Sequence, residues 1–242
     1  MVSVELEIER AAVDTWPAET VERVDGWLLR HCGLMKRKRS NSALPPEVVA
    51  DPAAAVEQVE GFYAAWDIAP IVQVSPLDRH AELDAFLAER GYRAIAPTDT
   101  MFADCARVAS AAPTAAFQVR FESGPRPSWL VAAEAVGSTP EPSLDRVPQP
   151  VRFAIALHRG LPVGVGMFAV SADWCGVYGM ATHPDWRRRG IASSILRAGA
   201  GWASEAGAAR LFLQVEANNP GARRCYETLG FVPSHSYHYR VR

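Results

Sequence analysis

Arg187, Arg188, Arg189 and Gly190, followed by Ile191, Ala192 and Ser193, bring positive charge, a residue without a Cβ and a run of backbone amides to one point of the chain. That set suits a pyrophosphate. Guanidinium groups bond its oxygens, the glycine lets it approach the main chain, and the amides and dipole of a following helix attract its charge. The chemistry requires a strand before the stretch and a helix after it. Upstream, residues 175–182 read as a mostly buried strand that ends at His183, because Pro184 has no N–H for a ladder. Downstream, Ile191, Ile195, Leu196 and Trp202 recur at helical spacing, with Gly207 as terminator. Taken alone, the three arginines also fit a solvated basic turn capping an ordinary helix.

A second stretch answers the first. Residues 211–216 read as another apolar strand, residues 217–220 as a loop, and a helix runs through Arg223, Tyr226 and Leu229 until Gly230 ends it and Phe231-Val232 resumes a strand. R-x-x-G-x-A, then N-x-x-A-x-x-x-Y-x-x-x-G-F about thirty residues later, resembles the GCN5-related N-acetyltransferases, the GNAT family. Either half alone is a weak signal; in order, they must meet at one ligand.

The resemblance implies a fold and a set of roles. The fourth and fifth strands of the family splay apart, and the arm of acetyl-CoA enters the gap, bonding like a short extra strand. In this sequence its partners would be the backbones of Met180, Ala181 and Thr182, with the pyrophosphate on Arg187, Arg188, Arg189, Gly190, Ile191 and Ala192 and Ser193 at the helix start. Asn219 matches the asparagine near the coenzyme arm, and Tyr226 the tyrosine whose hydroxyl lies near the thioester sulfur. The implied reaction is direct attack of a neutral amine on the acetyl carbonyl within a ternary complex, with a main-chain amide near Met180 or Ala181 facing the oxyanion and Tyr226 protonating the leaving thiolate. Tyr226 as a core aromatic is the alternative. For the general base, Glu216 at the end of the fifth-strand candidate comes first, His183 fits a plain turn role equally well, and a water chain is the third route. A CoA-binding sensor or regulatory protein that has lost acceptor chemistry is the competing function.

Composition sets the outer limits. The 242 residues are 49% hydrophobic with a net charge of −2, enough for two modest domains or one large one. No apolar run reaches the roughly eighteen residues of a membrane span and residues 1–10 do not form a signal peptide, so the expectation is a cytoplasmic protein without membrane or nucleic-acid partners. Cys32, Cys105, Cys175 and Cys225 show no C-x-x-C pairing, so neither a metal site nor a disulfide framework is expected. Lys36-Arg37-Lys38-Arg39 reads as a solvated basic strand, against contact with an anion or an acidic substrate. Gly164-Val165-Gly166-Met167-Phe168-Ala169 imitates a dinucleotide fingerprint, yet its alternation continues as a hairpin strand. His235 and His238, three positions apart on a strand, face opposite ways.

The expected class is α/β (α+β): two tandem GNAT-like domains, each a mixed, mostly antiparallel sheet flanked by helices. A boundary near Val108 divides residues 1–108 from a catalytic domain of residues 109–242. Helix 56–66, strand 71–74, helix 83–90 and Gly91-Tyr92 repeat the order seen around Trp202, residues 211–215, Tyr226 and Gly230-Phe231, the mark of an internal duplication. The first copy carries residues 37–45, with Pro45 and Pro46, where a pyrophosphate loop should be. It resembles the degenerate half of tandem GNAT proteins. Trp27, Arg39, Asn41 and Ser42 are candidates to line an acceptor cleft; the favoured role for any one of them is to cover apolar surface in place of a dimer partner. The acceptor amine, the acyl length and the choice between monomer and homodimer stay open.

Overall fold

The computed structural model describes residues 3–33, 37–112 and 117–242. Among them the chain forms α1 (Val4–Thr15), β1 (Thr20–Val24), β2 (Trp27–His31), β3 (Ala43–Leu44), α2 (Pro52–Ala64), β4 (Ile71–Val74), α3 (Ala81–Glu89) and β5 (Arg93–Asp104). There follow α4 (Cys105–Ser110), β6 (Gln118–Glu122), α5 (Pro127–Ala135), β7 (Val151–His158), β8 (Leu161–Ser171), β9 (Trp174–Thr182), α6 (Ile191–Glu205), β10 (Arg210–Glu216), α7 (Pro220–Thr228) and β11 (Val232–Val241).

The strands join into one eleven-stranded, mostly antiparallel sheet in the order β1-β2-β3-β4-β11-β5-β10-β9-β8-β7-β6. The repeat read from the sequence is present as α2-β4-α3-β5 and α6-β10-α7-β11. Each copy, however, gives its last strand to the other. β5 pairs along the full length of β10, Asp104 to Thr98 opposite Arg210 to Glu216, and β11 pairs with β4 from His238 to Val241. β5 and β11 are themselves antiparallel neighbours, so the two copies meet at an exchanged pair rather than at a loose contact. α4, which contains the fully buried Val108, lies in the same core cluster as α6.

The G-x-G-x-x-A imitation is part of β8, hydrogen-bonded to β7 and β9. Its glycines bring α6 close: a Cβ at Gly164 would meet Ile191 at 2.5 Å, and one at Gly166 would meet Met180 Sδ at 2.5 Å. α6 buries Ile191, Ile195, Leu196, Ala200 and Ala203 against that side of the sheet. α1 and α5 cover the other side, over Phe153, Met167, Trp174, Tyr178 and Phe212. A third cluster, with Trp27, Tyr63, Val72 and Leu87, fills the N-terminal half.

The basic run departs from its expected form. Residues 38–41 make a turn of 3-10 helix, with Lys38 exposed and Arg37 and Arg39 half-buried; Lys36 lies outside the described residues. The loop equivalent to the pyrophosphate loop is also later than expected. It is residues 45–51, between β3 and α2, and it ends at Asp51, whose carboxylate accepts from the Ala53 and Ala54 amides at 3.0 and 3.1 Å. In the first copy the helix-start amides that could meet a phosphate are already bonded to the protein's own anion.

Candidate functional site

β9 and β10 run parallel and pair only at their starts, Arg210 with Trp174, Leu211 with Cys175 and Phe212 with Gly176. Beyond that they part, because β10 keeps to β5 while Gly179, at φ +57°, puts a bulge into β9 between its Met167–Tyr178 and Val165–Ala181 pairs. The bulge resets the alternation of side chains. Tyr178 packs with the cluster under α1, whereas Met180 packs with the cluster under α6. Between the parted strands lies a cavity of about 630 Å³, lined from both faces of the sheet.

On the α6 face the wall includes Val177, Met180, Leu213, Val215, Asn219, Ala222 and Tyr226. Asn219 is the N-cap of α7, its Oδ1 accepting from the Ala222 amide at 3.1 Å. Tyr226 packs 5.8 Å from the Phe231 ring. Burial, with a smaller contribution from Cys225, pushes its phenol up to about 12, so it carries its proton at neutral pH.

The arginine loop adjoins this face without forming its wall. Gly190 takes the left-handed conformation, φ +83°, at the N-cap of α6, and Arg188 is also left-handed at φ +60°. The first bond of the helix runs from the Ser194 amide to the Gly190 carbonyl at 2.9 Å, which leaves the amides of Ile191, Ala192 and Ser193 without a carbonyl one turn back. Arg187, Arg188 and Arg189 are exposed, and Arg189 stacks 4.9 Å above Trp186. Ser193 Oγ lies 3.8 Å from Cys225 Sγ, which ties the start of α6 to α7 beside Tyr226. Ala181 and Thr182 continue β9 beyond the bulge, paired with Val165 and Gly164 of β8 on one side only.

Glu216 is exposed at the mouth, the last residue of β10, opposite Thr98. His183 lies outside the wall; its Nδ1 accepts from the Asp185 amide at 3.3 Å, the turn role weighed for it.

On the α1 face the wall is built by Trp16, Arg37, Arg39, Tyr178 and Gln214. Arg37 stacks at 3.8 Å on Trp16, and Trp16 meets Tyr178 edge-on at 5.3 Å. Thr15 donates its proton to the Ala11 carbonyl at 2.6 Å, so the Tyr178 hydroxyl, 2.7 Å away, donates to Thr15 and is held in place. Of the four N-terminal residues put forward, only Arg39 reaches the cavity. Trp27 is core, Ser42 Oγ accepts from Arg30 Nη2 at 2.9 Å, and Asn41 Oδ1 accepts from the Cys32 amide at 2.8 Å. Trp16 and Gln214 were not anticipated, and Arg37 entered only through the anion-contact alternative weighed for the basic run. The basic run was the signal for Arg37, and its reading as a solvated strand is corrected here: a 3-10 turn aims two of its arginines inward while Lys38 faces solvent.

The sequence matches, over residues 6–240, the family described as the C-terminal part of the probable histone acetyltransferase Rv0428c. The chain belongs to that family. A Bacillus subtilis (strain 168) protein described as the uncharacterized N-acetyltransferase YobR is 27% identical over 246 residues, 97% of each chain. A GCN5-related N-acetyltransferase from Kribbella flavida superposes with a TM-score of 0.77 at 18% identity, over 100% of this chain and 96% of that one. A tandem GNAT protein from the clavulanic acid biosynthesis pathway superposes with a TM-score of 0.59 at 11% identity, over 89% of this chain and 73% of that one. In general class this is a GNAT-type N-acetyltransferase. Its two copies, joined by exchanged strands, follow the tandem arrangement of the GNAT fold.

Proposed function

We propose that the protein transfers an acetyl group from acetyl-CoA to an amine by direct attack in a ternary complex at the parted strands, with residues 109–242 supplying the coenzyme loop and residues 1–108 lacking one. The observation that carries the reading is the opening between β9 and β10, with Tyr226 in its wall and, beside it on the same face, the first turn of α6, whose Ile191, Ala192 and Ser193 amides have no helical carbonyl to bond. In this reading acetyl-CoA is a substrate that brings the acyl group. Gly190 and the amides of Ile191, Ala192 and Ser193 take the pyrophosphate, assisted by Arg187, Arg188 and Arg189, and the free edge of Met180, Ala181 and Thr182 pairs with the arm.

The amine nitrogen forms a bond to the acetyl carbon as the carbon–sulfur bond breaks. An amide at Met180 or Ala181 faces the charge growing on the acyl oxygen, and Tyr226, protonated at neutral pH, passes a proton to the departing sulfur. Glu216, exposed at the mouth, takes one proton from the incoming ammonium, and the second nitrogen proton, released once the bond to carbon has formed, restores the Tyr226 phenol, so that amide, thiol and one proton leave. Asn219 contributes through its cap of α7, which holds Tyr226 in register with the opening. The test is release of free thiol from acetyl-CoA on incubation with an amine panel, together with calorimetric titration of acetyl-CoA. Binding with thiol release on at least one amine supports the reading; binding without release on any amine assigns the protein to the sensor class.

A further inference from the structure

The α1 face of the cavity carries more positive charge than its buried acid, Glu9, balances. Arg37 donates from Nε to Ser40 Oγ at 3.2 Å and from Nη2 to the Trp16 carbonyl at 3.1 Å, and its Nη1 is buried without a partner. Arg39 donates from Nη2 to Tyr237 Oη at 3.0 Å, and its Nε is likewise buried and unpartnered. Behind them Arg30 spends its guanidinium on Ser42 and Gln73. The buried acid on this side is Glu9, which feels the charge of Arg39 but is hydrogen-bonded elsewhere, to His235 at 2.8 Å, Ser75 at 2.7 Å and Gln73 at 3.2 Å. Among the described residues no ion pair joins a carboxylate to Arg37 or Arg39, and the undescribed residues 1–2, 34–36 and 113–116 contain no Asp or Glu. Both amide atoms of Gln214 and the Trp16 Nε1 are also buried without partners on this face.

Buried guanidinium groups left unpaired are costly, and their forked donors match a planar oxyanion. We propose that Arg37 and Arg39 bind the carboxylate of the acceptor, so that the molecule acetylated is a small amino-carboxylate. Resting on the acetyltransferase reading, this adds the substrate class. The charge along the wall is bipolar: two arginines lie inside, and Glu216, which shares a face of β10 with Gln214, lies at the mouth. A zwitterion fits that order with its carboxylate inward and its ammonium toward Glu216. The coenzyme's phosphates do not explain the arginines, since the loop of Arg187 to Gly190 precedes α6 on the opposite face.

The experiment compares free α-amino acids with their methyl esters, with the matching primary amines and with O-phosphoethanolamine. Each is followed by thiol release from acetyl-CoA and, separately, by calorimetric binding to the acetyl-CoA-free protein. Free acids should be preferred over esters and plain amines by about tenfold or more in kcat/KM or in affinity. Arg39→Gln and Arg37→Gln should raise KM for the acids by a similar factor with little change in kcat, while Arg39→Lys recovers part of the loss. Should an arginine variant fail to fold, the acid-to-ester ratio of the unaltered protein decides alone. Equal use of acids, esters and plain amines overturns the proposal and leaves the acetyltransferase intact. Acids that bind with no thiol release from any amine support the carboxylate site and overturn the acetyltransferase. Preference for O-phosphoethanolamine, or competition of the free acids with acetyl-CoA, overturns the carboxylate assignment.

Discussion

In the proposed reaction, Tyr226 and Gly190 are the residues on which the chemistry turns most directly. Tyr226, in the cavity wall beside Phe231, keeps its proton because burial disfavours the phenolate. Tyr226→Phe keeps that packing and removes only the hydroxyl, so turnover should fall by about a hundredfold while acetyl-CoA affinity stays within about a factor of two; steady-state kinetics beside calorimetry measures both. Gly190 holds a left-handed backbone, φ +83°, that a β-branched residue resists. Gly190→Val should therefore weaken acetyl-CoA binding by at least about tenfold while the melting temperature falls only modestly, read by titration and by thermal unfolding. The structural places of both residues were legible in the sequence, because glycine at a strand-to-helix junction and tyrosine at fixed distance from Asn219 are local patterns. That of Arg37 was not. Its place depends on Trp16 beneath it, twenty-one positions earlier on another element, and short-range spacing carries no record of that contact.

Among the elements, α6 depends on how closely it can lie on the sheet. At Gly199 a Cβ would drive into the ring of Phe168, so Gly199→Val should cost about 2 kcal/mol or more through overpacking; chemical denaturation of the pair gives the difference. Two carboxylates anchor helices to β11. Glu9 of α1 is fully buried, which by itself raises its pKa, yet the hydrogen bond and charge of His235, with Ser75, hold it below its ordinary 4.5. Asp84 of α3 is partly buried, and Arg240, at 2.7 Å from both oxygens, together with His238 at 2.6 Å, holds it below 3.8. Depressed carboxylates contribute stability that is present above their unfolded pKa and is lost as pH falls through the lowered folded value. The melting temperature should therefore drop as pH is taken below about 4.5, and Glu9→Gln should flatten that acid limb. Element identity was readable from periodicity: helices at residues 56–66 and 83–90 and strands at 71–74 and 211–216 were found within a few residues of their ends. The basic run misled because alternation assumes an extended chain, and the bond from the Ser40 amide to the Arg37 carbonyl, at 3.2 Å, closes a tight turn instead.

For the molecule as a whole, the exchanged strands decide what counts as a unit. Residues 98–104 of β5 are the neighbours of β10, and residues 238–241 of β11 are the neighbours of β4. Cutting the chain at residue 108 would leave β10 with an open edge in one fragment and β4 with an open edge in the other, and exposed edges of this kind aggregate. Residues 109–242 expressed alone should show little native circular dichroism and no acetyl-CoA binding, and co-expression with residues 1–108 should restore both. The intact chain should melt in one cooperative step. No local signal announced this exchange, since a strand's pattern reports which face is buried and says nothing of which neighbour borders it. The opening between β9 and β10 reaches both sides of the sheet. In the proposed reaction the coenzyme lies toward α6 and the acceptor toward α1, so the two approach the cavity from opposite faces of the sheet and can occupy it together, and a surplus of either should not exclude the other.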